Sequence, residues 1–386
     1  MPTYPLKKLS EICKILKGKN PELFNDERKN SLPYLSAKFI RGTQTPEYAL
    51  TSDKKSVIVD KDEIIIICDW SNSGESFIGF SGILSSTMGK MVHSKEIQNL
   101  YLKYFLDVIV DELRDKKTGT AIPHLDIKRL LNSNIPLPLL SVQEEIVAKL
   151  DSAMVSINEA KIKTEQALAV TRELWESTLE EAFRGGDGWE ERKLEDEIDL
   201  ILGFAFKSKG YTDKERDILL LRGDNIMQWE LRWEDAKRWK KEEYNDFQKY
   251  QLEENDIVLA MDRPWVKAWL KCARLSKNDL PALLVQRTAC LRNKKKLNNS
   301  FLYYIVRSRE FMNHLLSVQT GSWVPHISGQ QILDFSFSLP SLLEQSRIVA
   351  HLDAVRAETD RLAALYEQKL ADLDELRRSV LQEAFV

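Results

Sequence analysis

The sequence predicts an α+β fold: two internally repeated α/β domains separated by two long helices that form an antiparallel coiled coil. Three observations carry this expectation. A segment of the chain recurs without a gap at a spacing of 202 residues. Each copy ends in more than forty residues free of Pro and Gly, with apolar positions at three-four spacing. Ahead of each copy, short apolar runs alternate with charged turns, the pattern of strands in a mixed sheet.

The repeat is anchored by TGTAIPH at Thr118–His124 and TGSWVPH at Thr320–His326. In the same register Tyr101 falls on Tyr303, Pro138 on Pro340, Gln143 on Gln345, Leu150-Asp151 on Leu352-Asp353, and Glu181-Ala182-Phe183 on Glu383-Ala384-Phe385. A register held from Tyr101 to Phe183 marks an internal duplication. The fronts match more loosely. Lys8-Leu9 and Gly18 correspond to Lys193-Leu194 and Gly203 at a spacing of 185, and Asp62-Glu63-Ile64 resembles Asn255-Asp256-Ile257. The expected boundaries are globular domains at 1–140 and 185–340 and long helices at 141–184 and 341–386.

SVQE at Ser141–Glu144 and SLLE at Ser341–Glu344 read as capping boxes that start the long helices. The second helix carries Leu352, Val355, Thr359, Leu362, Tyr366, Leu373, Leu376 and Val380 at seam spacing, with Lys369 and Leu370 as the irregularity. The first carries Leu150, Ala153, Ile157, Ala160, Thr164, Ala167, Thr171 and Leu174, a narrower seam that larger partners can fill. A single apolar stripe needs a partner, and the economical one is the other helix. Antiparallel pairing would place the globular units at opposite ends of a rod of roughly 60 Å.

In the fronts, strands are expected at Lys55–Val59, Glu63–Cys68, Ile218–Leu221, Ile257–Ala260 and Leu283–Gln286 in a largely antiparallel sheet. Helices are expected at about Leu100–Arg114 and Leu302–Leu316. Trp265 and Trp269 stand four apart and would be core if that piece were helical. Between Ile257 and Ser300 the basic residues include Arg263, Lys267, Lys271, Arg274, Arg287, Arg292, Lys294, Lys295 and Lys296, against only Asp262 and Asp279. Basic residues interleaved with Trp265 and Trp269 suit phosphate contacts combined with apolar contacts to bases.

The chain has 386 residues and a formal net charge of −3, so any nucleic-acid face must be local rather than global. Its 43% apolar and 30% charged residues are those of a soluble globular protein, with no secretory signal and no membrane-length apolar run, and a cytoplasmic location is expected. Cys13, Cys68, Cys272 and Cys290 are too scattered for a metal site or disulfide framework. GILSSTMGKM at Gly82–Met91 departs from the phosphate-loop spacing, FIGFSG at Phe77–Gly82 from the dinucleotide fingerprint, and the five histidines form no zinc motif. His124 and His326 suit turn-bonding better than catalysis. Asp151 and Asp353 read as solvated positions on the helices. No catalytic signature is visible.

The residues resemble the specificity (S) subunit of type I restriction–modification systems. The resemblance rests on ILGFAFKSKGY at Ile201–Tyr211, ILLLRGDNI at Ile218–Ile226, TGSWVPHIS at Thr320–Ser328 and LPSLLEQSRIVAHLD at Leu339–Asp353. The first unit offers LPYLSAKFIRG at Leu32–Gly42, TGTAIPHLD at Thr118–Asp126 and IPLPLLSVQEEIVAKLD at Ile135–Asp151. Its Lys17-Gly18-Lys19 departs from the fuller GFAFKS phrase of the second.

This resemblance implies two target-recognition domains, each reading one half of a split double-stranded DNA target, with long helices that set the gap and dock two methyltransferase subunits. The chain itself would be non-catalytic and carry no cofactor. S-adenosylmethionine for adenine N6 methylation, ATP and Mg would belong to the methyltransferase and restriction subunits. The expected DNA-binding residues are Lys17, Lys19, Lys38 and Arg41 in the first front and Lys207, Lys209 and Arg222 in the second. Arg263, Trp265, Lys267, Lys271, Arg274, Arg287, Lys294 and Lys295 join them from the basic run. The expected spacer and partner-binding residues are Leu150, Ile157, Leu174, Phe183, Leu352, Leu362, Leu376 and Phe385. Nine acidic against six basic side chains in 341–386 fit a helix serving protein partners. The alternative reading is a coiled-coil protein–protein adaptor with no DNA role.

Overall fold

The computed structural model describes residues 4–69, 72–114, 124–266, 269–294, 297–320 and 325–385. It forms two compact units, Met1–Gln166 with Tyr366–Val386, and Ala167–Leu365.

In the first unit a four-stranded antiparallel sheet runs in the order Cys13–Lys17, Met88–His93, Ile64–Ile67, Ser76–Phe77. All four residues of Ile64–Ile67 are buried, so this strand is covered on both faces. The alternation of side chains decides what covers each face. Ile64 and Ile66 pack with Tyr101, Leu102, Phe105 and Leu106 of the helix Asn99–Arg114. Ile65 and Ile67 pack with Leu35, Val59, Leu84 and Met88 on the side of a second sheet. That sheet has the order Tyr48–Leu50, Ser31–Leu35, Gly82–Leu84, Ile58–Val59, its middle pair parallel. Leu6–Lys8 pairs with Asn134–Pro136 and closes the unit onto the start of the first long helix.

The second unit repeats the plan. Its four-stranded sheet is Ile198–Leu202, Thr288–Asn293, Ile257–Ala260, Cys272–Arg274. Its second sheet has three strands, Arg238–Trp239, Ile218–Leu221 and Ala282–Leu284, again with one parallel pair. Glu190–Lys193 pairs with Ser336–Leu339 as Leu6–Lys8 does with Asn134–Pro136. One glycine joins the sheets in each unit. A Cβ on Gly18 would lie 2.1 Å from the Ser85 carbonyl oxygen, and one on Gly203 would lie 1.9 Å from that of Val285. Only glycine permits that approach, and the shorter Lys17-Gly18-Lys19 phrase keeps it.

The expected elements are corrected in four places. Lys55–Val59 shrinks to the strand Ile58–Val59, because Asp53 draws its Oδ1 onto the Lys55 N–H at 2.8 Å and holds a turn. Leu283–Gln286 moves to Ala282–Leu284, ended by a turn in which Thr288 Oγ1 donates to the Val285 carbonyl. The expected helix Leu302–Leu316 is two helices, Asn299–Arg307 and Arg309–Val318. Ser308 is extended and its hydroxyl accepts the Phe311 N–H, so it restarts the helix as an N-cap. Trp265 and Trp269 lie in two short paired antiparallel strands, Trp265–Val266 and Trp269–Leu270, rather than a helix.

The long helices are Leu140–Ala182 and Leu342–Glu383. Within each unit their segments run antiparallel. In the first, Phe385 packs in the cluster that holds Ile146 and Val147, while Lys161 Nζ reaches Asp374 at 2.7 Å. In the second, Arg356 stacks on Trp175, and Leu179 and Phe183 share a cluster with Val349 and Leu352.

The seam differs from the expected one. Leu150, Ile157 and Leu352 are buried and Leu362 is half-buried, but Leu174 and Leu376 are exposed at 51% and 48%. From Thr164 the buried positions step to Leu168, Thr171, Trp175 and Leu179. The helix accumulates one residue relative to a strict heptad, because 3.6 residues per turn do not divide seven. On the second helix Leu373 and Leu381 flank the gap that exposes Leu376.

The expected capping boxes are also corrected. Ser141 lies inside its helix. Ser341 Oγ accepts the Glu344 N–H at 3.4 Å, but the Glu344 carboxylate pairs with Arg347. The repeated glutamines secure these helix starts instead. Gln143, fully buried, donates to the carbonyls of Pro138 and Glu96 and accepts the Gln98 N–H. Gln345 donates to Pro340 and accepts the Asn298 N–H. Asp151 and Asp353 are hydrogen-bonded rather than merely solvated: they accept the hydroxyls of Tyr104 and Tyr304.

Candidate nucleic-acid interface

In each four-stranded sheet, the loops leaving one end meet on a single aspartate. In the first unit Asp69 follows the strand Ile64–Ile67. His124 Nδ1 lies 2.8 Å from Asp69 Oδ1, and Lys17 Nζ lies 3.3 Å from Oδ2. In the second unit Asp262 follows Ile257–Ala260. His326 Nδ1 lies 2.5 Å from its Oδ1, and the Arg287 guanidinium lies 3.0 Å from Oδ2. A bridge between the main chains accompanies each pair, Asp69 with His124 and Asp262 with His326. Leu125 N–H donates to the Cys68 carbonyl, and Ile327 N–H to that of Met261. Thr320 and His326 also exchange two main-chain hydrogen bonds at 2.8 and 3.0 Å. Each unit therefore ties together, with one cation, one carboxylate and one imidazole, the loops that emerge at the same sheet edge.

Arg263 and Trp265 belong to this end of the second unit. Arg263 is exposed at φ +47°, with its N–H donated to the Pro325 carbonyl. Trp265 gives its Nε1–H to Gln319 at 2.8 Å while its ring packs on the core. Lys271 is half-buried and donates to the Gly223 carbonyl, and desolvation holds its ammonium below the usual lysine range. Arg222 pairs with Asp224 at 2.8 Å.

The other expected residues do not converge here. Arg274 sits opposite Ile257, at the far end of the same sheet, over the Tyr303 ring and hydrogen-bonded to Ser300. Lys294 shares that far end and donates to the Glu195 carbonyl. These two decorate the frame, so the basic run splits between two edges. Lys207 and Lys209 are exposed after the strand Ile198–Leu202, and Lys19 is exposed just beyond Gly18. Lys38 is exposed in the turn of helix Ala37–Ile40. Arg41 pairs with Glu75 and lines a polar cavity of about 540 Å³ with Lys103, Asp107 and Arg377. Lys267 and Lys295 lie outside the described residues. Of the helix positions, Phe183 packs on Phe301 and Phe385 on Tyr101 and Phe105, each at 5.0–5.4 Å between ring centroids.

Asp69 and Asp262 escaped the sequence reading. The signal was present: the spacing that aligns Asp62-Glu63-Ile64 with Asn255-Asp256-Ile257 also aligns these two aspartates. Among the described residues no group of His, Cys, Asp or Glu could hold a metal ion, and all four cysteines are free and buried. Among them, too, no helix is long and apolar enough to cross a membrane.

The family described as the type I restriction modification DNA specificity domain matches this chain twice, over residues 3–166 and 186–370. The type I restriction enzyme MjaVIII specificity subunit of Methanocaldococcus jannaschii is 28% identical over 97% of this chain and 90% of its own length. The EcoAI specificity subunit of Escherichia coli is 35% identical over 53% of this chain and 34% of its own. Among solved structures, a chain from a type I restriction–modification system studied for complex assembly and conformational transition shares the fold with a TM-score of 0.78 at 20% identity, covering 100% of this chain and 98% of that one. The HsdS subunit from Thermoanaerobacter tengcongensis gives 0.61 at 20% identity, covering 100% and 97%. With two copies of the family's domain on two copies of one frame, the chain belongs to the type I restriction–modification specificity subunits, non-catalytic chains that carry sequence-specific DNA recognition.

Proposed function

We propose that each unit of this chain reads one half of a split, asymmetric double-stranded DNA target. The paired helices set the gap and dock two methyltransferase subunits, to which restriction subunits join. S-adenosylmethionine, ATP and Mg then act on those partners, and this chain supplies the address. The observation that supports this reading best is the repeated cation–aspartate–histidine knot. The same device gathers loops at the same sheet edge in both units, while the sequences of those loops differ. A shared frame presenting unlike loops is what reading two unlike half-sites requires.

The test is to express the chain with its methyltransferase subunits and map adenine methylation across the host genome. Methylation should fall on a two-part motif with a constant gap. Replacing 185–340 with the corresponding part of a relative should change one half of the motif and leave the other. A motif unchanged by that exchange would overturn the assignment. Arg263→Glu should weaken binding of the assembled complex at every sequence, with a shallower salt dependence.

A further inference from the structure

We propose that His124 and His326 each hold a backbone phosphate of the bound duplex through Nε2. The proposal deepens the DNA-reading role and rests on it. A carboxylate only accepts hydrogen bonds, so the contacts to Asp69 and Asp262 place a proton on Nδ1 of each ring and fix its plane. Nε2 then lies on the opposite edge, with no hydrogen bond to any described residue. The side chains are 65% and 44% exposed, so that edge is open to a ligand.

Repetition identifies the ligand class. The two units have diverged in the residues around these loops, yet the same imidazole stands on the same carboxylate in both. A group reading bases would have changed with the half-site. The phosphodiester backbone is common to every half-site. The charges around each ring suit an anion. The first ring faces Asp69, whose other oxygen is occupied by Lys17, while Asp126 is turned to the Arg129 N–H as a helix cap. The second faces Asp262, whose other oxygen is held by Arg287, with Arg263 adjoining Pro325. In each case a cation offsets the carboxylate and leaves the outer ring edge free to meet phosphate. Each contact takes up one proton from solvent. That proton forms one new N–H bond at Nε2, and the resulting imidazolium donates Nδ1–H to aspartate and Nε2–H to a phosphate oxygen.

His124→Asn and His326→Asn separate this contact from a purely structural knot. The Asn amide can replace Nδ1 on the aspartate but carries nothing at the Nε2 position. In the full chain assembled with methyltransferase subunits, each Asn variant should lose about tenfold in DNA affinity, and the double variant about a hundredfold. The loss should be equal on cognate and unrelated duplexes. The slope of log affinity against log salt should fall by about one per histidine. Asn variants that bind like the parent while His→Ala variants fail would overturn the proposal in favour of the knot alone. A loss confined to the cognate duplex would overturn it in favour of base reading. A parent complex with no DNA affinity would instead remove the broader DNA-reading role and this contact with it.

Discussion

The two units share a frame and differ in what is mounted on it. Toward the long helices they are near copies: a buried Gln at the helix start, a Tyr hydroxyl on a helix Asp, and a Phe from the helix end against the domain core. On their second sheets they part company. The first unit has four strands there, with Tyr34 reaching Asn20. The second has three, covered by an aromatic group of Phe204, Phe206, Trp239 and Phe247 with ring centroids near 5–6 Å. The second unit also buries Arg307 among Trp175, Trp229 and Tyr303, where the first has no described counterpart. The face that must fit a helix has been held constant, and the sheet free of that duty has drifted.

The comparison can be broken most severely at the shared glycines. Gly203→Ala and Gly18→Ala force a Cβ into a carbonyl oxygen and should each cost about 3 kcal/mol or more, read by chemical denaturation of the full chain. Gly42→Ala, at φ +69° with open space around it, should cost only about 1 kcal/mol. Comparable losses at the two shared positions would confirm an equal frame. A tolerated Gly18→Ala would show that the first unit's shorter loop has relaxed it.

Next in size are the seam leucines. Leu150→Ala and Leu352→Ala should cost about 3 kcal/mol each, since both are buried and leave a cavity. Tyr104→Phe and Tyr304→Phe should cost about 1–2 kcal/mol each, the worth of a hydrogen bond to a carboxylate. Unequal losses would mean that the two units grip their helices differently. The smallest effect belongs to Leu174→Ala and Leu376→Ala, within about 0.5 kcal/mol, because both side chains face solvent.

The frame was legible because its signals are local or periodic. The ungapped register carried Gln143, Tyr101 and Phe183 onto their partners, and the absence of Pro and Gly marked both long helices. The seam beyond Thr164 was not legible, since a one-residue drift is invisible to a fixed heptad and only packing promotes Trp175 over Leu174. The break at Ser308 was hidden by an apolar pattern that continues on either side. The site was half legible. Arg263, Trp265 and Arg287 gather at one edge, but Arg274 and Lys294 belong to the other, because a run of basic residues along the chain is distributed by the strands that carry it. Asp69 and Asp262 were overlooked because a single aspartate acquires meaning only when a residue 55 or 64 positions away closes on it.

Phe385, inserted between Tyr101 and Phe105, carries a consequence for biosynthesis. The front of the first unit lacks a piece of its interior until Phe385 has been translated. Its apolar interior must therefore wait, partly uncovered, through the production of everything in between, and a stop codon ahead of Phe385 would injure a unit whose front was built on the order of hundreds of residues earlier.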